Sequence, residues 1–304
     1  MPIVPAMPPQ TLDSKGGFDY VNVDAVHRRV YAAHGGAGAL LVVDADTGNI
    51  LGEVKVGDMA GNAVNPENGH VFTGDGDSNA VSEVDPVTLK EIHRLPVAGH
   101  VDAIMYDAGN GRIYADEDDG TRVFVVDAKT FKLVKTITVP GHKPEYLQID
   151  PKTHEVYQNI ASDSEIAVID PATLSVSRVI KTPELKNNHP LQLDAAHGSL
   201  FAAGENNVMS VYSTDGKQLA TGSFPGRVDQ CDLDREHGVM ACFGSGITYW
   251  SFDGAHAPKL LGQVALNHGV HTGAIDPKTG NIWIVWSDTS GAHVQAYKYA
   301  DSHR

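Results

Sequence analysis

The chain has 304 residues, 41% of them hydrophobic, with 23 Lys and Arg against 38 Asp and Glu, a formal net charge of −15. No apolar run is long enough to span a membrane as a helix. The lack of any basic block argues against a general binder of phosphate backbones, which needs clustered Lys and Arg. At this length one core is amply large, so a single domain spanning 1–304 is expected.

In chain order, Met1 is followed by Pro2-Ile3-Val4-Pro5-Ala6-Met7-Pro8-Pro9. This stretch has neither the basic region nor the apolar core of a secretory signal, and it reads as the start of a mature exported chain. A periplasmic or secreted protein is the resulting expectation. A segment around Ala6 to Ser14 precedes the first copy of a repeat. Apolar strands ending in Asp or Asn recur at Asp24, Asn65, Asp107, Asp150, Asp194, Asp234 and Asp276, spaced 41, 42, 43, 44, 40 and 42 residues apart. A fixed period of this length marks an array of one supersecondary unit.

Each copy reads alike. A first strand such as Tyr20-Val21-Asn22-Val23-Asp24 leads to a turn of Pro, Gly, Asn and Lys, as in Pro66-Glu67-Asn68-Gly69. A second strand follows, for example Val30-Tyr31-Ala32-Ala33 or Ile113-Tyr114-Ala115-Asp116. A third ends in Asp-x-x-Thr (Asp44/Thr47, Asp85/Thr88, Asp127/Thr130, Asp170/Thr173), whose oxygens can bond the turn backbone. A more polar fourth strand closes the unit. Four short antiparallel strands per period predict an all-β, seven-bladed propeller with four-stranded blades. The seventh copy runs out after three strands near Tyr299, so the N-terminal segment is expected to supply the missing strand and close the ring. In the sixth copy, Cys231 and Cys242 fall opposite each other on adjacent strands. Two buried thiols are the expectation there, with a cross-strand disulfide open geometrically.

The motifs Arg29-Val30-Tyr31-Ala32-Ala33 and Arg112-Ile113-Tyr114-Ala115, with the third-strand Val-x-Asp-x-x-Thr segments, resemble the YVTN-repeat (YncE-like) family of seven-bladed propellers. The resemblance covers nearly the whole chain. Copies five and six depart most, with Ser213-Thr214-Asp215-Gly216 and Phe252-Asp253-Gly254 in place of Asp-x-x-Thr. The resemblance implies architecture and export; it does not specify chemistry.

Overlaying the copies gives a site prediction. First strands run down the channel from its mouth. Five residues before the anchor the copies read Asp19, Ala60, Asp102, Glu145, His189, Asp229 and His271, above residues that are mostly apolar. His34, Asp75 and Glu117 occupy one equivalent position at the ends of second strands, and the loops entering the first strands add His100, His142, Arg227 and His268. All are expected at the mouth. Two imidazoles with carboxylates suit a divalent transition metal ion, zinc, iron, manganese, nickel or copper, so Glu145, His189, Asp229 and His271 are assigned as metal ligands. Asp19, Asp102 and Glu117 are assigned as catalytic acid–base groups, and His34, Ala60, Asn62, His100, His142, Arg227 and His268 as substrate-binding. The second copy breaks the pattern at Ala60 and Asn62, which leaves three readings open: drift, a gap with an amide for substrate, or an engineered replacement of a ring ligand. Asp116-Glu117-Asp118-Asp119 reads as a solvated acidic loop, and His27, His70, His154 and His237 as solvated side chains of the lower face.

The resulting expectation is a metal-dependent enzyme, of hydrolase, lyase or isomerase type, acting on a small polar substrate by Lewis-acid or metal-hydroxide chemistry. The alternative is a non-catalytic propeller binding a protein, a small ligand or a metal ion. Either way the chain is expected to be a monomer that binds no nucleic acid.

Overall fold

Every anchor does the same local job. The side-chain oxygen of Asp24, Asn65, Asp107, Asp150, Asp194, Asp234 or Asp276 accepts a hydrogen bond from the backbone N–H two residues on, at 2.7–3.1 Å. The turn between first and second strands is thereby fixed, which is why Asp or Asn stands there in all seven copies. The predicted Asp-x-x-Thr turns form in the same way, with Thr47, Thr88, Thr130 and Thr173 bonded through N–H and hydroxyl to the preceding Asp.

The computed structural model describes residues 2–266 and 269–300. It is a seven-bladed β-propeller. Blade 3 is typical, with strands Val101–Asp107, Arg112–Glu117, Arg122–Asp127 and Lys132–Thr138 paired in order from channel to rim. Seven apolar clusters lie between neighbouring blades, one per junction, so each blade buries both faces against its neighbours.

Blade 7 comprises Gly273–Ile275, Asn281–Asp288 and Gly291–Tyr299. Its outer edge is covered by the N-terminus, as expected, but in two pieces. Ile3–Pro5 pairs with residues 297–299 and Gln10–Leu12 with residues 292–294. The first piece lies upstream of the predicted segment. Between them the amides of Ala6 and Met7 share the Ala296 carbonyl, so the chain bulges out and rejoins the sheet. Ring closure is reinforced at the lower face, where Arg28 of blade 1 makes a two-pronged pair with Asp276 of blade 7 at 3.0 and 2.7 Å.

Two expectations change. Cys231 and Cys242 are directly opposed in register and form a disulfide within the core of blade 6, rather than two thiols. The lower-face histidines are paired rather than merely solvated: His27 with Asp24, His70 with Glu83, His154 with Asp107 and His237 with Asp234, each at 2.7–2.9 Å.

Candidate ligand-binding site at the channel mouth

The inner strands carry a local irregularity just where the site begins. In blades 2 to 5 the pairing of first and second strands shifts register between the sixth and third residues before the anchor. In blade 1, Asp19 N–H and Tyr20 C=O both bond to Ala33, so two residues face one. This extra residue turns two consecutive side chains toward the channel instead of one.

The result is a cavity of about 430 Å³ at the mouth, whose lining includes Asp19, Ala60, Asp102, Glu145, His189 and Asp229. Six of the seven predicted ring positions therefore meet. His271 does not join them: its Nε2 lies 2.9 Å from the Phe18 carbonyl and its Nδ1 3.2 Å from that of Gly269. Three further charged groups line the cavity, Asp58, Asp118 and Lys143. Among the described residues the mouth thus gathers six carboxylates against one ammonium group.

The pairs within it are few. Lys143 Nζ sits 3.1 Å from Glu145 Oε1, and His189 Nδ1 3.3 Å from Glu145 Oε2, with Glu205 at 3.8 Å from Nε2. His100 is 3.6 Å from Asp118. Asp19 accepts from Gln230 at 3.2 Å, and Gln230 in turn accepts from Thr272. Burial, then the charges of Asp229 and Glu145, push the Asp19 carboxyl well above its usual range. Burial, then Asp116 and Asp19, do the same to Asp102. Burial raises Glu145 as well, with His189 and Lys143 opposing.

One deeply buried carboxylate supports this group. Asp116 is fully buried, accepting from Ala103 N–H at 2.7 Å and from Gln158 Nε2 at 2.8 Å, and burial drives its pKa well up. Together with Asp118 it corrects the expectation of a merely solvated acidic loop. The error is one of strand parity: alternate residues face opposite sides. Asp116, not Glu117, faces the inner end of the next blade, where it meets Gln158, and its counterpart Asn159 likewise reaches the next blade and donates to the His189 carbonyl at 2.8 Å. Polarity at 116 and 159, where other copies carry Ala33 and Ala203, was the available signal.

The same parity removes three predicted groups from the mouth. Glu117 is held by Arg122, whose hydrogen bonds keep the carboxyl below its usual range. His34 is fully buried, stacked on Phe18 at 4.1 Å and bonded to Glu53 at 2.9 Å. Asp75 is buried against Ser82 and Arg94, and its desolvation raises its pKa to about 7. Glu117→Gln should therefore leave ligand affinity at the mouth within about twofold of wild type, read by calorimetry, while lowering stability by about 1 kcal/mol.

The blade 2 departure has a packing reason. A Cβ on Gly61 would fall 2.3 Å from the Asp102 carbonyl oxygen, so only glycine lets the two inner strands approach. The Ala60 carbonyl accepts from Tyr20 N–H at 3.2 Å, while Asn62 Nδ2 donates to the Tyr20 carbonyl at 2.8 Å and its Oδ1 accepts from Asn22. Ala60 does line the cavity, but the Asn62 amide is committed to blade 1 and not free for substrate. Of the loop residues, His100 lines the cavity; His142 and Arg227 are exposed and outside its lining; His268 lies outside the described residues.

Among the described residues no three His, Cys, Asp or Glu side chains converge as a set that could hold a metal ion. Glu145 and His189 touch and Asp229 shares their cavity, but His271 is engaged with blade 1. The four assigned ligands do not form one donor set in this geometry.

The architecture places the chain in a broad class, the seven-bladed β-propellers. No protein-family model matches it, and no curated protein sequence does. Among solved structures it is similar to a chain of Kuenenia stuttgartiensis hydrazine synthase, with TM-score 0.80 and 16% identity over 94% of this chain and 97% of that one. It is similar to the WD40 repeats of RRP9, with TM-score 0.82 and 10% identity over 98% and 100% of the two chains. The β-propeller domain of Myceliophteria thermophila Cps50 (Swd1) aligns with TM-score 0.80 and 10% identity, again over 98% and 100%. At these identities the likeness is one of fold.

Proposed function

We propose that this chain is an exported propeller of YVTN-repeat type that binds a small cation at the mouth of its channel. One observation carries this: Asp19, Asp58, Asp102, Asp118, Glu145 and Asp229 line a single cavity in which, among the described residues, Lys143 is the one ammonium group, beside the imidazoles of His100 and His189. Carboxylates crowded in this way repel one another, and a bound cation relieves the repulsion. An anion would meet the opposite field, which disfavours phosphorylated or carboxylated ligands and nucleic acid. The family assignment is supported by the buried Tyr31, Tyr114 and Tyr157 of the second strands and by the bonded Asp-x-x-Thr turns. Export is supported by the Cys231–Cys242 disulfide, a bond that persists in oxidising compartments.

A second reading, favoured by the contact of His189 with Glu145, is that the cation is a divalent transition metal ion on which Glu145, His189 and Asp229 would converge only as it binds, with Asp19 and Asp102 as acid–base groups of a metal-dependent enzyme. Titration calorimetry with methylammonium, Zn²⁺ and acetate separates these possibilities. Binding of either cation but not acetate is expected. If Zn²⁺ binds and its affinity falls in His189→Ala, the metal reading gains. If neither cation binds, the proposal fails.

A further inference from the structure

A second chamber of about 220 Å³ lies directly beneath the mouth, walled by Tyr20, Tyr146, Ala103, Ile104, Met105 and Leu147 among others. Tyr20 lines both cavities. The two are stacked along the same inner strands, one residue apart: Asp19 precedes Tyr20, Asp102 precedes Ala103, and Glu145 precedes Tyr146. One residue of strand advances about 3.3 Å, so a group bound at the carboxylates is within a few bonds of the lower chamber.

The lower chamber is chemically unlike the mouth. Its two asparagines have their amide nitrogens occupied, Asn22 Nδ2 on the Asn62 carbonyl at 2.7 Å and Asn62 Nδ2 on the Tyr20 carbonyl at 2.8 Å. The remaining wall is aliphatic, thioether and aromatic. The Tyr20 and Tyr146 rings, from blades 1 and 4, pack against each other at a tilt of 39° with centroids 5.4 Å apart, and both line the lower chamber. A hydrated metal ion or a small hydrophilic cation would use the mouth alone. An ammonium group carrying an apolar tail would use both, and its charge would lie beside aromatic rings that attract cations.

We infer that the channel takes an organic amine, with its ammonium group among Asp19, Asp102 and Glu145 and its short aliphatic or aromatic tail in the chamber below Tyr20. This rests on the cation-binding reading of the mouth and adds the ligand's class. The tail supplies affinity by leaving water for an apolar wall, and the carboxylates supply the selection for charge.

The test is a titration series on the whole protein with methyl-, butyl- and hexylammonium, with 1-hexanol as the uncharged control. Affinity should rise by up to about fourfold per methylene, and hexylammonium should exceed methylammonium by at least about a hundredfold. Hexanol should bind far more weakly than hexylammonium. Met105→Trp, which fills the chamber, should shrink the hexyl-to-methyl affinity ratio at least about tenfold; the series on wild type stands on its own if that variant misfolds. Equal affinity for methyl- and hexylammonium overturns the inference and leaves the mouth as a cation site. Hexanol binding as tightly as hexylammonium overturns the amine class. If no ammonium ion binds, both readings fall.

Discussion

Asp102→Asn should make the ligand-free protein more stable at alkaline pH and weaken cation binding at least about tenfold. Burial, then the charges of Asp116 and Asp19, raise the Asp102 carboxyl well above its usual range. The folded protein therefore holds a proton that the unfolded chain releases earlier as pH rises. Stability from this group is present below the ordinary carboxylate pKa and declines as pH climbs toward the folded value. Above it, Asp102 is a half-buried charge among like charges. Asparagine keeps the shape and removes the charge, so the fall in stability on raising pH should be shallower in the variant. Denaturant unfolding of both proteins across pH, with calorimetry of methylammonium binding, reads both effects. A variant less stable than wild type at high pH would refute the account of the mouth as a store of like-charge repulsion.

Arg28→Met should cost about 3–5 kcal/mol, because it leaves a buried carboxylate without its partner. Asp276 has no exposed side-chain surface, and the pair joins blade 1 to blade 7 at the point where the ring closes. Burial alone would push the Asp276 carboxyl up. Hydrogen bonds from Arg28 and Thr279 outweigh it and hold the group below its usual range. The sign is opposite to that of Asp102: this stability is present above the ordinary carboxylate pKa and is lost as pH falls through the folded one. The double variant Arg28→Met, Asp276→Asn should recover much of the loss, since no charge is left unpaired. A free energy of urea unfolding for Arg28→Met within about 0.5 kcal/mol of wild type would show that the pair does not hold the ring.

Repetition made the ring legible. A lone Asp before a strand says little, but Asp19, Asp102, Glu145, His189 and Asp229 occupy one register, and the structure gathers them in one cavity with Ala60. The same comparison exposed the anchors, which recur because each fixes one turn. Its failures are of other kinds. Glu117, His34 and Asp75 were placed by alignment without regard to alternation, and each side chain is turned from the mouth to a partner in its own blade. Tyr20 and Tyr146 were hidden by the opposite fault. Strict alternation sends them between blades, while the irregularity in the inner strand turns them into the channel. His271 could not be placed from its own copy, because its partner, the Phe18 carbonyl, belongs to blade 1. Arg122 and Lys143, which decide how Glu117 and Glu145 are spent, are neighbours only because hairpins and loops bring them there.

The account stands on a cation lodging between these carboxylates. A backbone amide NMR titration with methylammonium tests it most directly, because it reports where as well as whether binding occurs. The largest shifts are predicted at Asp19, Asp102, Glu145 and His189, with the lower-face turns at His27 and His237 unmoved. Shifts confined to the lower face or the blade rims, or no saturable shift at all, would contradict it.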